Sequence, residues 1–287
     1  MKDFDKLWDY NDPAGTEIKF RELLDEVKNS NDKSAYLQLE TQIARTLGLQ
    51  MKFDDAHKLL DEVESELTDD LSAAKIRYLL ERGRVFNSSK QKDKSRDLFL
   101  KAYEIAKSTG EDFYAVDAAH MMGIIEPGEE SLKWNETAMK DAESSESDSA
   151  KGWLGSLYNN TGWTYFDMKD YEKALELFLK CRQWHEERKK GLTLAIAKWS
   201  VAKTLRMMGK TDESLDIQLA LLKDIEDGKA VSDGYVYEEL MELYLIKNEK
   251  EKAAEYAGKS YELLSKDIWV AENEKDKLER LKKISEG

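Results

Sequence analysis

The sequence predicts an all-α fold, on three observations. Only Pro13 and Pro127 and 15 glycines interrupt 287 residues, which leaves few places for tight hairpins. Charged residues make up 36% and hydrophobic residues 41%, enough apolar content to bury a substantial core beneath a solvated surface. Apolar residues recur at helical spacing almost from end to end, and the breaks in that pattern recur at similar intervals.

The first helix begins at Asp12-Pro13. Asp oxygens accept the unpaired N–H groups of a first turn, and proline at the first helical position gives up no donor that the helix needs. Ile18, Phe20, Leu23, Leu24 and Val27 then form one apolar stripe, which predicts a helix over 13–28. Later breaks fall at 48–52, 87–92, 109–112, 126–128, 169–170, 209–210 and 248–249.

Regular breaks suggest an internal repeat. A small residue follows most turns at Ala56, Ser95, Ser131, Ala174, Ser214 and Ala253, at spacings of 39, 36, 43, 40 and 39. Seven residues after each stands Val63, Ala102, Ala138, Cys181, Leu221 or Ser260. A double signal this regular predicts a linear array of helix pairs.

The stretch Tyr158, Thr161-Gly162, Tyr165, Ala174, Phe178, Cys181 resembles the tetratricopeptide repeat, whose pattern is W-x2-L-G-x2-Y, then A-x3-F, then P. Gly83, Phe86, Ser95, Phe99 and Ala102 match it nearly as well. The links around Ala202 and Leu240 keep the size pattern but lose the second aromatic, and the link at Ala119 is weakest. No link carries the terminal proline, and the period is near 40 rather than 34, as in long-helix members of the family. The resemblance covers roughly 34–265 and implies an α-solenoid of stacked antiparallel helix pairs, a tetratricopeptide-like right-handed superhelix. Such stacks need covered ends, so 1–33 and 266–287 are expected to be capping helices on one continuous domain of about six repeats.

Composition narrows the partners. With 59 acidic against 45 basic residues, the net charge of −14 opposes attraction to nucleic acid or an anionic membrane. A single cysteine, Cys181, excludes an internal disulfide and favours a reducing compartment. The opening MKDFDKLWDY lacks the apolar run of a signal peptide, and 152–166, the longest uncharged stretch, is too short and polar to span a bilayer. A cytoplasmic location is expected.

Signatures of catalysis are absent: neither G-x-x-x-x-G-K, nor G-x-G-x-x-G, nor G-x-S-x-G occurs. The three histidines, His57, His120 and His185, fall on different links. Cys181 and His185 share a helix face and supply at most two metal ligands; the plainer reading is a buried small residue beside a surface histidine. Acidic runs at 141–148 and 61–66 read as solvated turns and helix faces. The expectation is a non-catalytic chain with no metal and no cofactor.

In the family, the first helix of each pair lines a concave groove. Carried onto this sequence, the groove positions include Arg45, Arg84, Asn87, His120, Asn159, Trp163, Trp199, Lys203 and Arg206. Independently of the family, spacing i, i+4, i+7 places each set on one helix face. The first five links contribute cations and no acid at these positions. Planar aromatics, amides and cations together suit a peptide or protein segment bearing carboxylates. The alternative is that the indoles fill space between adjacent links while the arginines bond helix ends.

Two subgroups sharpen the resemblance. One binds the C-terminal carboxylates of chaperones through a Lys/Asn/Arg clamp; Asn159, Asn160, Lys203 and Arg206 fit it, but Val116 and His120 do not. Another senses short peptides in bacterial regulators, which implies a sensor whose curvature changes on binding.

Overall fold

The computed structural model describes residues 4–188, 191–229 and 234–287, with the backbone alone at 268 and 269. After a 3-10 turn at Phe4–Leu7 come α1 (Pro13–Asn29), α2 (Lys33–Leu49), α3 (Phe53–Glu66), α4 (Ser72–Ser88), α5 (Lys92–Thr109), α6 (Asp112–Ile125), α7 (Gly128–Ser144), α8 (Asp148–Lys151) and α9 (Leu154–Asp167). The chain continues through α10 (Tyr171–Glu187), α11 (Gly191–Met207), α12 (Thr211–Glu226), α13 (Tyr235–Ile246), α14 (Lys250–Leu264), α15 (Ile268–Asn273) and α16 (Lys275–Ser285). Every regular element among the described residues is helical. Two compact units meet in sequence at Leu157 and Tyr158, inside α9.

One turn recurs inside the helix pairs and explains the spacing of the breaks. Lys52, Gln91, Asp170, Lys210 and Glu249 each donate their N–H to the carbonyl five residues back, at Leu47, Phe86, Tyr165, Leu205 and Tyr244, over 2.8–3.0 Å. The residue before each donor, Met51, Lys90, Lys169, Gly209 or Asn248, has a φ between 60° and 76°. This is a Schellman closure, which satisfies helix-end carbonyls by turning one residue into the left-handed region. The α6–α7 connection departs from it because Pro127 has no N–H to donate; Glu126 there is extended.

Caps set the other ends. Asp12 accepts from the Gly15 N–H, Asp32 from Ala35 and Asp170 from Lys173. The connections at 67–71 and 145–147 lack both proline and glycine, and the expected list of breaks omits them. At the C-terminal end, two short helices, α15 and α16, stand where the sequence predicts one cap.

In the first unit each helix packs on its chain neighbours, and α2 also packs on α4. Phe20, Leu37, Leu39, Ile43, Leu60, Ile76, Leu80, Phe99 and Met122 are fully buried at this shared core. In the second unit Leu221, Leu240, Met241, Ala253 and Ala257 play the same part. The link glycines set the closest approaches: a Cβ added at Gly83 would sit 2.5 Å from the Phe99 ring, and one at Gly162 would sit 2.7 Å from the Phe178 ring. Both pairs are 16 residues apart, so one helix-pair geometry occurs in both units.

Candidate functional site

All nine residues expected to line the groove are half-buried. In the first unit, α2, α4 and α6 bring Arg45 and Arg84 together, but on carboxylates of this same chain. Arg45 reaches Glu81 at 3.0 Å, and Arg84 bonds Glu81 at 2.8 Å and also Asp117. Burial pushes the Glu81 carboxyl up, yet Arg45 and Arg84 outweigh it and hold Glu81 below its ordinary range. In the second unit Arg206 grips Glu239 at 2.7 Å, and Lys203 stands 3.6 Å from the same carboxylate.

An acid-free cationic surface is therefore not what the first helices present. Gln42, Glu81, Asp117, Asn160, Ser200 and Glu239 each lie one residue after the first groove position of their link. They repeat with the same 39, 36, 43, 40 and 39 spacing, and a neighbouring column of the same helix face escapes a pattern read from single positions. Buried guanidiniums need compensating charge, and this column supplies it.

A glutamate at position 84 would put three acids together, with Glu81 and Asp117, so the Arg84 side chain holds the fold as well as lining the face. The arginines bond carboxylates of neighbouring first helices rather than helix ends. His185 also departs from expectation: it is buried where α10 meets α11, with Nδ1 3.0 Å from the Thr193 hydroxyl.

The aromatics and amides fall into separate groups. In the second unit Trp163 and Trp199 lie 5.6 Å apart between adjacent links, Trp163 packs on Phe178, and the Trp199 Nε1–H donates to the Tyr235 carbonyl. Lys203 stands 4.8 Å above the Trp199 ring. Asn159 donates to Asn160. In the first unit His120 packs 5.4 Å from Trp153, and burial lowers its pKa. Asn87 lies in the last turn of α4.

A cavity of about 710 Å³ opens in the first unit. The rings of Trp8, Tyr10, Phe113, Tyr114 and Trp153 line it, with Arg45, Arg77 and Arg84, with Asp5, Glu81, Glu111 and Asp117, and with Gln42, Leu80 and Ser149. Arg77 was not among the expected site residues, although extending the helix face back by one turn reaches both it and Phe113. Its Nη2 bonds Asp5 and its Nε bonds the Tyr114 hydroxyl, while Nη1 has no hydrogen-bond partner among the described residues. Trp153 Nε1 is likewise a buried donor without an acceptor. Trp8 and Tyr10 arrive from the non-repetitive N-terminal segment, where no periodic signal marks them.

A tetratricopeptide-repeat family profile matches residues 155–184. Residues 155–184 form a tetratricopeptide repeat. Solved structures share the fold of this chain along most of its length. The apo form of RapI is 14% identical, with TM-score 0.72, covering 97% of this chain and 85% of that one. The C-terminal part of a repeat protein from Cytophaga hutchinsonii is 16% identical with TM-score 0.54, covering 94% and 97%. BtubC from P. vanneervenii is 14% identical with TM-score 0.55, covering 77% and 93%. At these identities the likeness concerns the fold. No curated protein matches the sequence. No helix among the described residues is long and apolar enough to cross a membrane.

Proposed function

We propose that this repeat protein is a non-catalytic binding module, and that the first-helix faces of its units take a peptide or protein segment carrying carboxylates. The observation that carries this reading is the first-unit cavity: it is walled by five aromatic rings, and two of its donors, Arg77 Nη1 and Trp153 Nε1, have no acceptor among the described residues. Buried donors without acceptors each cost about 1–3 kcal/mol. A segment that supplies oxygen acceptors recovers that cost, while the rings give it flat apolar area. In the second unit Trp163 and Trp199 stand beside Lys203, which brings aromatic and cationic groups together there as well.

An array of synthetic peptides in Asp/Glu and matched Asn/Gln versions, probed with the full chain, tests the reading. Acidic versions should be retained preferentially, and Trp153→Phe, which removes one unpaired donor, should reduce retention. Equal retention of both versions would reject a carboxylate-directed module. A second reading, a sensor that changes conformation on peptide binding, draws support from the chain's own N-terminal segment at this cavity.

A further inference from the structure

We infer that Arg77 is the anion-recognition centre of the first-unit cavity, and that residues 4–8 of the chain itself are a tethered ligand which an acidic, aromatic-bearing peptide must displace. The inference rests on the peptide-binding reading above and specifies its chemistry.

Charge pairing singles out Arg77. Arg45 shares Glu81, and Arg84 bonds both Glu81 and Asp117. Arg77 has one carboxylate, Asp5, and Asp5 comes from outside the repeats. Without Asp5, Glu81 and Asp117 remain engaged by Arg45 and Arg84. Arg77 then has no carboxylate bonded to it among the described residues, while its side chain is only 7% exposed. A buried guanidinium without a counter-charge is strongly unfavourable, so the position requires one carboxylate from somewhere.

The segment that supplies it is packed at its apolar residues and open at its carboxylate. The Asp5 side chain is 46% exposed, against the 4% and 8% of Glu81 and Asp117. Three residues on, Trp8 donates to Gln42 Oε1 at 3.1 Å and lies under the Arg45 guanidinium, stacked at 4.8 Å on Tyr10, itself 61% exposed. The firm anchor comes later, where the Asp9 N–H donates to the buried Thr16 hydroxyl, which donates back to the Asp9 carbonyl. Ahead of it Phe4 is buried, Leu7 and Trp8 pack on the same core, and the rings of Phe4 and Trp8 both meet Phe20 edge-on. Release of 4–8 uncovers the Phe20 ring together with Arg77 and the face of Arg45, so the displacing peptide must cover apolar surface as well as supply charge. The chemistry of the displacing peptide follows from the segment: one carboxylate for Arg77, and a flat aromatic about three residues later for Arg45 and Gln42. A tether this short keeps the local concentration of the internal ligand in the millimolar range, so a free peptide meets a large competitive handicap.

The test uses a fluorescently labelled peptide of residues 4–12 and the full-length chain, read by anisotropy. Phe4→Ala/Asp5→Ala/Trp8→Ala, shown to be helical by circular dichroism, should bind the peptide at least about tenfold more tightly than wild type. Replacing the peptide's aspartate at position 5 by asparagine should remove most of that gain. Equal binding by wild type and the triple variant, or indifference to the carboxylate, overturns the tethered-ligand assignment while leaving the peptide-array result standing. If the triple variant does not fold, Asp5→Ala alone decides: formate should raise its thermal midpoint and leave wild type unmoved, and absence of that rescue overturns the assignment.

Discussion

Arg206 holds Glu239 through two roughly parallel bonds, Nε to Oε2 at 2.7 Å and Nη2 to Oε1 at 2.9 Å, joining α11 to α13. The Glu239 side chain is 1% exposed. Glu239→Gln keeps the shape and removes the charge, leaving Arg206 and Lys203 without the carboxylate they share, with only the more distant Glu238 and Glu242 near them. The expected loss is about 3–5 kcal/mol, read as a lower denaturation midpoint for the second unit. A midpoint equal to wild type would mean that the pair is solvated and dispensable.

Packing at the matched repeat is the second target. Phe178 is fully buried against Gly162 and Trp163. Phe178→Ala should cost about 3–5 kcal/mol, and Gly162→Val should also destabilise, since its first added carbon already meets the ring. Thermal melts followed by circular dichroism measure both; unchanged melting would place Phe178 outside the core.

Acid sensitivity follows from Glu81. Its carboxyl is held below the ordinary value of 4.5, with burial opposing and Arg45 and Arg84 prevailing. A depressed carboxylate contributes stability that is present above 4.5 and is lost as pH falls through the folded value. Glu81→Gln should therefore be less stable than wild type by about 3–5 kcal/mol at neutral pH, and the gap should narrow well below 4.5. Denaturant titrations at both pH values give the difference; a constant gap would show that ionisation of Glu81 is irrelevant.

Cys181 offers a chemical readout. It is 1% exposed in α10, and burial pushes its thiol up to about 11. The thiolate is the reactive form. An aromatic disulfide reagent at mildly alkaline pH should modify the native chain slowly and the denatured chain quickly. Fast native modification would show that α10 opens readily.

The sequence by itself determined the helices, their pairing and the repeat. Period-3.6 stripes, Asp12 as a cap, and the Gly83–Phe99 and Gly162–Phe178 matches are local or fixed-spacing signals, and such signals survive in one dimension. It also placed Arg45, Arg84, Lys203 and Arg206 at the i, i+4, i+7 positions of first helices.

Tertiary structure alone decided what those cations meet. Whether Arg84 greets solvent or Asp117 depends on the angle between α4 and α6, and a shift of one residue along the face exchanges a free charge for a paired one. The same holds for Asp5 and Trp8: they belong to no repeat, and only the folded chain brings them to Arg77 and Gln42, across 72 and 34 residues. Side-chain pairing over such distances is set by helix packing in three dimensions, which a periodic pattern does not encode.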